Sequence, residues 1–139
     1  MLHHNKMLAR TFGPANTTPL ISAAIWRHAE VVKLLLDLDD FGLVKMANDN
    51  GKNALHFAAR QGHTEIVKAL LEKDPRLARR TDKKGQTALH MAAKATNCDV
   101  LRAILDADPA IVMLPDRDGC IPLHIATKKR RVEVLYYFS

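Results

Sequence analysis

The sequence predicts an all-α solenoid of about three and a half helix-turn-helix-hairpin units, and three observations lead to it. One short pattern recurs four times at spacings of 34 or 35: residues 18–24 (TPLISAA), 53–59 (NALHFAA), 87–93 (TALHMAA) and 121–127 (IPLHIAT). Eleven residues after each shared leucine comes a second apolar pair, Val31-Val32, Ile66-Val67, Val100-Leu101 and Val134-Leu135, each preceded by an acid. Aromatic residues are only 5% of a chain that is 47% hydrophobic, so Leu, Ala, Val and Ile must fill the core. That palette suits packed helices better than a sandwich or barrel.

The first helix of each unit begins where Thr18, Asn53 and Thr87 can accept a hydrogen bond from an orphan backbone N–H. Pro19 and Pro122 then occupy the first helical position, where a missing N–H costs nothing. Ile121 breaks the pattern, having no side-chain acceptor. In the second helix Ile66, Val67, Leu70 and Leu71 form one apolar stripe, which a neighbouring unit must cover. Asp74-Pro75 and Asp108-Pro109 stop these helices, and Asp82-Lys83-Lys84-Gly85 and Asp116-Arg117-Asp118-Gly119 read as tight hairpin tips. The expected division is a tail of a preceding unit at 1–15, units at 16–49, 50–82 and 83–116, and an incomplete one at 117–139. The tail is inferred from Leu8-Ala9-Arg10, which repeats Leu77-Ala78-Arg79 at the same distance ahead of the next shared leucine.

At 139 residues the chain has room for one domain with a substantial core. Its two cysteines, Cys98 and Cys120, form neither a disulfide framework nor a zinc motif, which places the chain in a reducing compartment. No apolar run approaches the length needed to span a bilayer, and the first ten residues lack the apolar stretch of a signal peptide. The net charge is +6, and residues 1–50 hold five Lys/Arg against five Asp/Glu, so the whole excess lies in residues 51–139. Such asymmetry fits an acidic protein partner, a nucleic acid or an anionic surface.

The repeated Thr-Pro-Leu-His-x-Ala element, the two helices and the projecting hairpin at a period of 34 resemble the ankyrin repeat. Copies two and three match throughout, whereas copy one carries Ile21 in place of the motif histidine. Three stretches, residues 10–14, residues 51–63 and residues 82–90, are similar to plant ankyrin-repeat membrane proteins. In that family the repeats lie on the cytoplasmic side and precede a C-terminal multi-helix transmembrane domain; this chain carries no such domain. The resemblance implies a cytoplasmic, monomeric protein-binding module used in signalling. It further implies that His56, His90 and His124 hydrogen-bond locally and tie one loop to the next, and that Leu20, Gly51, Gly85 and Gly119 are structural.

Catalysis finds no foothold. Ser22 and Ser139 are the only serines, and no phosphate-cradling glycine loop exists. His56, His90 and His124 belong to successive stacked units roughly 10 Å apart, too far to share one metal ion. No enzyme activity, metal or cofactor is expected. Arg60, Lys94 and Lys128 each fall five residues after a shared leucine, with Ile25 in copy one, and stacking turns that spacing into a basic column. The resemblance places such positions on a concave face, where Phe57, Met91 and Ile125 would add apolar contact and Lys52 and Gln86 start the same helices. Partial core burial is the competing account of Phe57, Met91 and Ile125. The expected partner is a protein with an acidic, partly apolar surface. The alternatives are a nuclear or nucleic-acid-associated protein using the run Lys128-Lys129-Arg130-Arg131, which otherwise only fills a solvated turn, and a truncated product without an independent role.

Overall fold

The computed structural model describes residues 13–38, 42–95 and 97–138, the side chains of 137 and 138 excepted. Most of the expected leading tail, residues 1–12, lies outside the described residues. The eight α-helices among the described residues form four pairs: α1 (Pro19–Ile25) with α2 (Ala29–Asp37), α3 (Ala54–Gln61) with α4 (Thr64–Lys73), α5 (Ala88–Ala93) with α6 (Cys98–Ala107), and α7 (Pro122–Lys128) with α8 (Val132–Phe138). The inner helices α1, α3, α5 and α7 stack in series, and the outer helices α2, α4, α6 and α8 stack behind them. The all-α solenoid expected from the repeat is the fold observed.

Local chemistry starts each inner helix. Thr18 Oγ1 accepts from the Ile21 N–H at 3.2 Å, Asn53 Oδ1 from the His56 N–H at 3.1 Å, and Thr87 Oγ1 from the His90 N–H at 3.5 Å. Ile121 occupies the same extended cap position and its side chain accepts nothing. One core runs through all four units: Leu20, Leu55 and Leu89 from the inner helices meet Val32, Ile66, Val67, Leu70, Val100, Leu101 and Ile104 from the outer ones. Leu123 is 37% exposed, because α7 has no following inner helix among the described residues.

The prolines after the outer helices do more than stop them. Pro75–Arg79 and Pro109–Met113 are 3-10 turns that drop Leu77, Ala78 and Ile111 into the core, and Leu43–Lys45 does the same with Leu43 and Val44. The sequence pattern did not announce these turns, since only one or two apolar residues in each are buried.

Each hairpin tip is closed by two backbone bonds, and no strand forms among the described residues. In the second tip the Asp82 N–H donates to the Gln86 carbonyl at 2.9 Å and the Gly85 N–H to the Asp82 carbonyl at 3.0 Å. Asp82 Oδ1 also accepts from the Lys84 and Gln86 amides, both at 2.9 Å, and Asp116 repeats this arrangement with the amides of Asp118 and Cys120. In the first tip Asn48 takes the part of the aspartate. Successive tips are bonded to one another: the Asp49 N–H donates to the Ala15 carbonyl, Lys83 to Asn50, and Arg117 to Lys84, at 2.9 to 3.0 Å.

Glycine at the tips is required for two separable reasons. Gly85 has φ +76, and a Cβ there would stand 3.0 Å from the Arg117 amide nitrogen of the next tip. Gly119 has φ +82 but would meet nothing within 4 Å. Gly119→Ala is therefore expected to cost about 1 kcal/mol, the penalty of the left-handed backbone alone, and Gly85→Ala at least about 2 kcal/mol. Urea unfolding of the two variants measures the difference, and equal losses would show that tip stacking contributes little. At the unsatisfied cap, Ile121→Thr is expected to stabilise by about 1 kcal/mol, read as a higher melting temperature. A lower one would mean that the half-buried isoleucine contributes more by packing than a cap would.

Candidate partner-binding face

The motif histidines bond in two directions. His56 Nδ1 accepts from the Asn53 N–H at 3.1 Å, and Nε2 lies 2.9 Å from the Gln86 carbonyl of the next tip. A backbone amide can only donate and a carbonyl can only accept, so the proton sits on Nε2. His90 repeats the geometry, with the Thr87 N–H at 3.1 Å and the Cys120 carbonyl at 2.9 Å. His124 keeps the first half, accepting from the Ile121 N–H at 3.4 Å, but is exposed and has no carbonyl across from Nε2 among the described residues. Ile21, in the histidine position of copy one, is packed into the core.

A second set of ties, at the loops joining inner to outer helices, was not anticipated. His63, Asn97 and Arg131 all fall eight residues after a shared leucine. His63 Nδ1 bonds the Ala24 carbonyl at 3.0 Å, Asn97 Nδ2 donates to the Gly62 carbonyl at 3.1 Å, and Arg131 Nε donates to the Lys94 carbonyl at 3.0 Å. Three different side chains perform one task, so identity-based alignment hides it. Arg131 is the last residue of the basic run 128–131, which begins at the end of α7 with Lys128 and continues as the turn to α8, with Arg130 at φ +55.

The expected contact residues separate into four groups. Met91 and Ile125 are 2% and 6% exposed, so the core holds both, as the competing account of them had it. Phe57 is half-buried and keeps an open edge. Lys52 and Gln86 brace the tips: Lys52 pairs with the buried Asp82 carboxylate of the next tip, and Gln86 Nε2 donates to Asp116 Oδ2 at 3.0 Å. Along the inner helices Arg60 and Lys128 are exposed and Lys94 is half-buried. Lys94 Nζ donates to Gln86 Oε1 at 3.0 Å, and Lys128 Nζ lies 3.5 Å from Cys120 Sγ. No carboxylate pairs with any of the three among the described residues. Partial burial pushes the Lys94 ammonium below its usual range, and the positive charges of Lys52, Arg60 and Lys84 push it further the same way. The Asp82 carboxylate acts on Lys94 in the opposite direction, and the column as a whole is predominantly positive.

The ankyrin profiles match along nearly the whole chain, "Ankyrin repeats (3 copies)" at residues 2–81 and "Ankyrin repeats (many copies)" at 70–126. The chain belongs to the ankyrin-repeat family. Ankyrin repeats are general protein-interaction modules, and this chain shares their stacked helix pairs and bridging imidazoles. It is 77% identical over 80 residues to the ankyrin repeat-containing protein NPR4 of Oryza sativa subsp. japonica, covering 58% of this chain and 14% of that protein. It is 56% identical over 61 residues to the ankyrin repeat-containing protein ITN1 of Arabidopsis thaliana, covering 44% of this chain and 10% of that protein. To the Notch-regulated ankyrin repeat-containing protein of Homo sapiens it is 42% identical over 64 residues, covering 45% of this chain and 54% of that protein. The ankyrin chain thus spans a small part of the plant relatives and about half of the human one.

Among the described residues no cluster of His, Cys, Asp or Glu could hold a metal ion, and no helix is long and apolar enough to cross a membrane. The ionisable groups of the ankyrin seam instead govern stability. Burial pushes His56, His63 and His90 below the ordinary histidine value of 6.5, outweighing the carbonyl bonds that act the other way. A folded-state value below the unfolded one means stability is complete above about pH 6.5 and declines as pH falls through the folded values. The urea midpoint is therefore expected to be flat above pH 7 and to drop as the solution is taken from pH 6.5 to 5. Burial alone would raise the Asp82 carboxyl, but the Lys52 bond and the Gln86 and Lys84 amides hold it below 3.8, so its loss comes at lower pH. A midpoint unchanged between pH 7 and 5 would contradict the neutral-imidazole seam.

Proposed function

We propose that this chain is a non-catalytic protein-binding module that receives an acidic, partly apolar partner on the face of its inner helices. The observation that carries the reading is the column of Arg60, Lys94 and Lys128, three cations on consecutive units without carboxylate partners among the described residues. A cationic surface that the fold leaves unneutralised favours and steers anionic partners. Phe57 adds apolar surface beside Arg60. In this reading the units run 16–49, 50–82, 83–116 and 117–139, and the module works as a monomer. In this reading the module is a scaffold piece of a plant signalling protein on the cytoplasmic side of a membrane; likeness to two plant ankyrin repeat-containing proteins supports its plant character.

The test is a charge reversal against a defined probe. Arg60→Glu with Lys94→Glu is expected to leave the helical circular-dichroism signal nearly unchanged, since replacing the exposed Arg60 usually shifts stability by about 0.5 kcal/mol or less and the half-buried Lys94 gives up one bond to Gln86, about 1 kcal/mol. Binding of a polyglutamate chain should weaken at least about tenfold, mostly through slower association, with a shallower dependence on salt. Polyglutamate bound equally by parent and variant would overturn the proposal. Tighter, salt-steep binding of duplex DNA by the parent would favour the nucleic-acid alternative instead.

A further inference from the structure

The inner-helix face is not uniform along the stack. Positions two, five and six after each shared leucine lie on one side of the inner helix, because residues three and four apart are neighbours on a helix surface. In the later units position five is basic, with Arg60, Lys94 and Lys128. In copy one the same side carries Ile25, half-buried, and Trp26, the single tryptophan of the chain, which is 72% exposed. A large apolar side chain left this open stands apart from the other indole-sized groups of soluble proteins, which are highly buried on average. Trp26 and Ile25 therefore make an apolar end to a row whose remaining members are cations.

The spacing of that row restricts what can follow it. Packed inner helices lie roughly 10 Å apart, so one group is presented about every 10 Å. A polyproline II segment has three residues per turn and rises about 3.1 Å per residue, which brings the same side of the peptide round about every 9 Å. A β-strand repeats its side about every 6.7 Å, so its next same-side residue falls roughly 3 Å short of the adjacent unit and only every second unit is matched. Polyproline II thus matches one side chain to each repeat.

Resting on the proposed acidic-partner reading and deepening it, we infer that the partner is an extended, polyproline II-like acidic segment with an acidic residue at every third position and an apolar residue seated on Trp26 and Ile25. The cations of Arg60, Lys94 and Lys128 take the successive carboxylates, and the indole fixes which end of the segment lies on copy one. Trp26 is then the residue that sets register and polarity, while the column supplies attraction without register.

Trp26 also reports on its own occupancy, since all indole fluorescence of the chain comes from it. The probes are synthetic peptides of Pro and Ala with Glu at three positions spaced by three and a leucine three residues beyond, made with the leucine at the amino end and at the carboxyl end. One of the two is expected to bind and to shift Trp26 emission to shorter wavelength. The same peptide with leucine replaced by serine should bind about tenfold more weakly and leave the emission unmoved, as expected for loss of an anchoring contact. A peptide of equal composition with Glu at every second position should also be at least about tenfold weaker. Trp26→Ser, followed by anisotropy of labelled peptide, should weaken the leucine peptide to the level of the serine peptide and leave the latter unaffected, with the circular-dichroism signal preserved. If leucine peptides bind through Arg60 and Lys94 but do not move Trp26 emission, or if both glutamate spacings bind alike, this inference is wrong and the acidic-partner reading stands. If no acidic peptide binds, both fall together.

Discussion

A neutral imidazole held between two repeats is the interaction on which the rest depends. His56 accepts the free amide at the start of its own helix and donates to the carbonyl at the base of the next tip. One side chain thereby satisfies a helix start, places a turn and sets the distance between units. Buried at the seam, it has no water to replace either bond, so the geometry is enforced by the cost of leaving a polar group unpaired. Asn53 and Thr87 complete the arrangement from the opposite side, each capping the helix whose third residue is the histidine.

The seam is reinforced at both edges of the stack. Tip bonds from Lys83 to Asn50 and from Arg117 to Lys84 run along one edge, and His63, Asn97 and Arg131 tie loops along the other. On the outer side Arg79 reaches Asp108 with two nitrogen-oxygen contacts of 2.9 Å, a paired geometry that holds orientation better than a single contact. Stability in such a stack is a sum of neighbour interfaces, so each tie acts on one seam and not on the whole molecule.

The same economy explains which side chains are left off the seams. Lys52 and Gln86 are consumed by the carboxylates of the following tips, and Met91 and Ile125 are taken into the core. What faces outward is the set of positions that no seam uses, namely the column of cations and, at its first unit, an indole and an isoleucine. Membership of the ankyrin-repeat family accounts for the scaffold. The charges on the inner helices are what the proposed partner-binding reading rests on.

The helices, their caps, the glycine tips and the order of units were legible in the sequence because each is decided by residues a few positions apart. Thr18, Asn53 and Thr87 cap helices that begin next to them, and Gly85 sits where its own turn needs a left-handed backbone. The sequence likewise marked Ile121 as a cap without an acceptor. Contacts across 30 residues or more were decided only by the tertiary structure, since a neighbouring unit supplies the second partner. Nothing local distinguishes Phe57, which keeps an exposed edge, from Met91 at the equivalent place, which is covered. Nor does any local rule make His63, Asn97 and Arg131 equivalents, because an imidazole, an amide and a guanidinium reach a preceding carbonyl equally well. The exposure of the Trp26 indole is decided in the same way, by which of the described residues reach that end of the first inner helix.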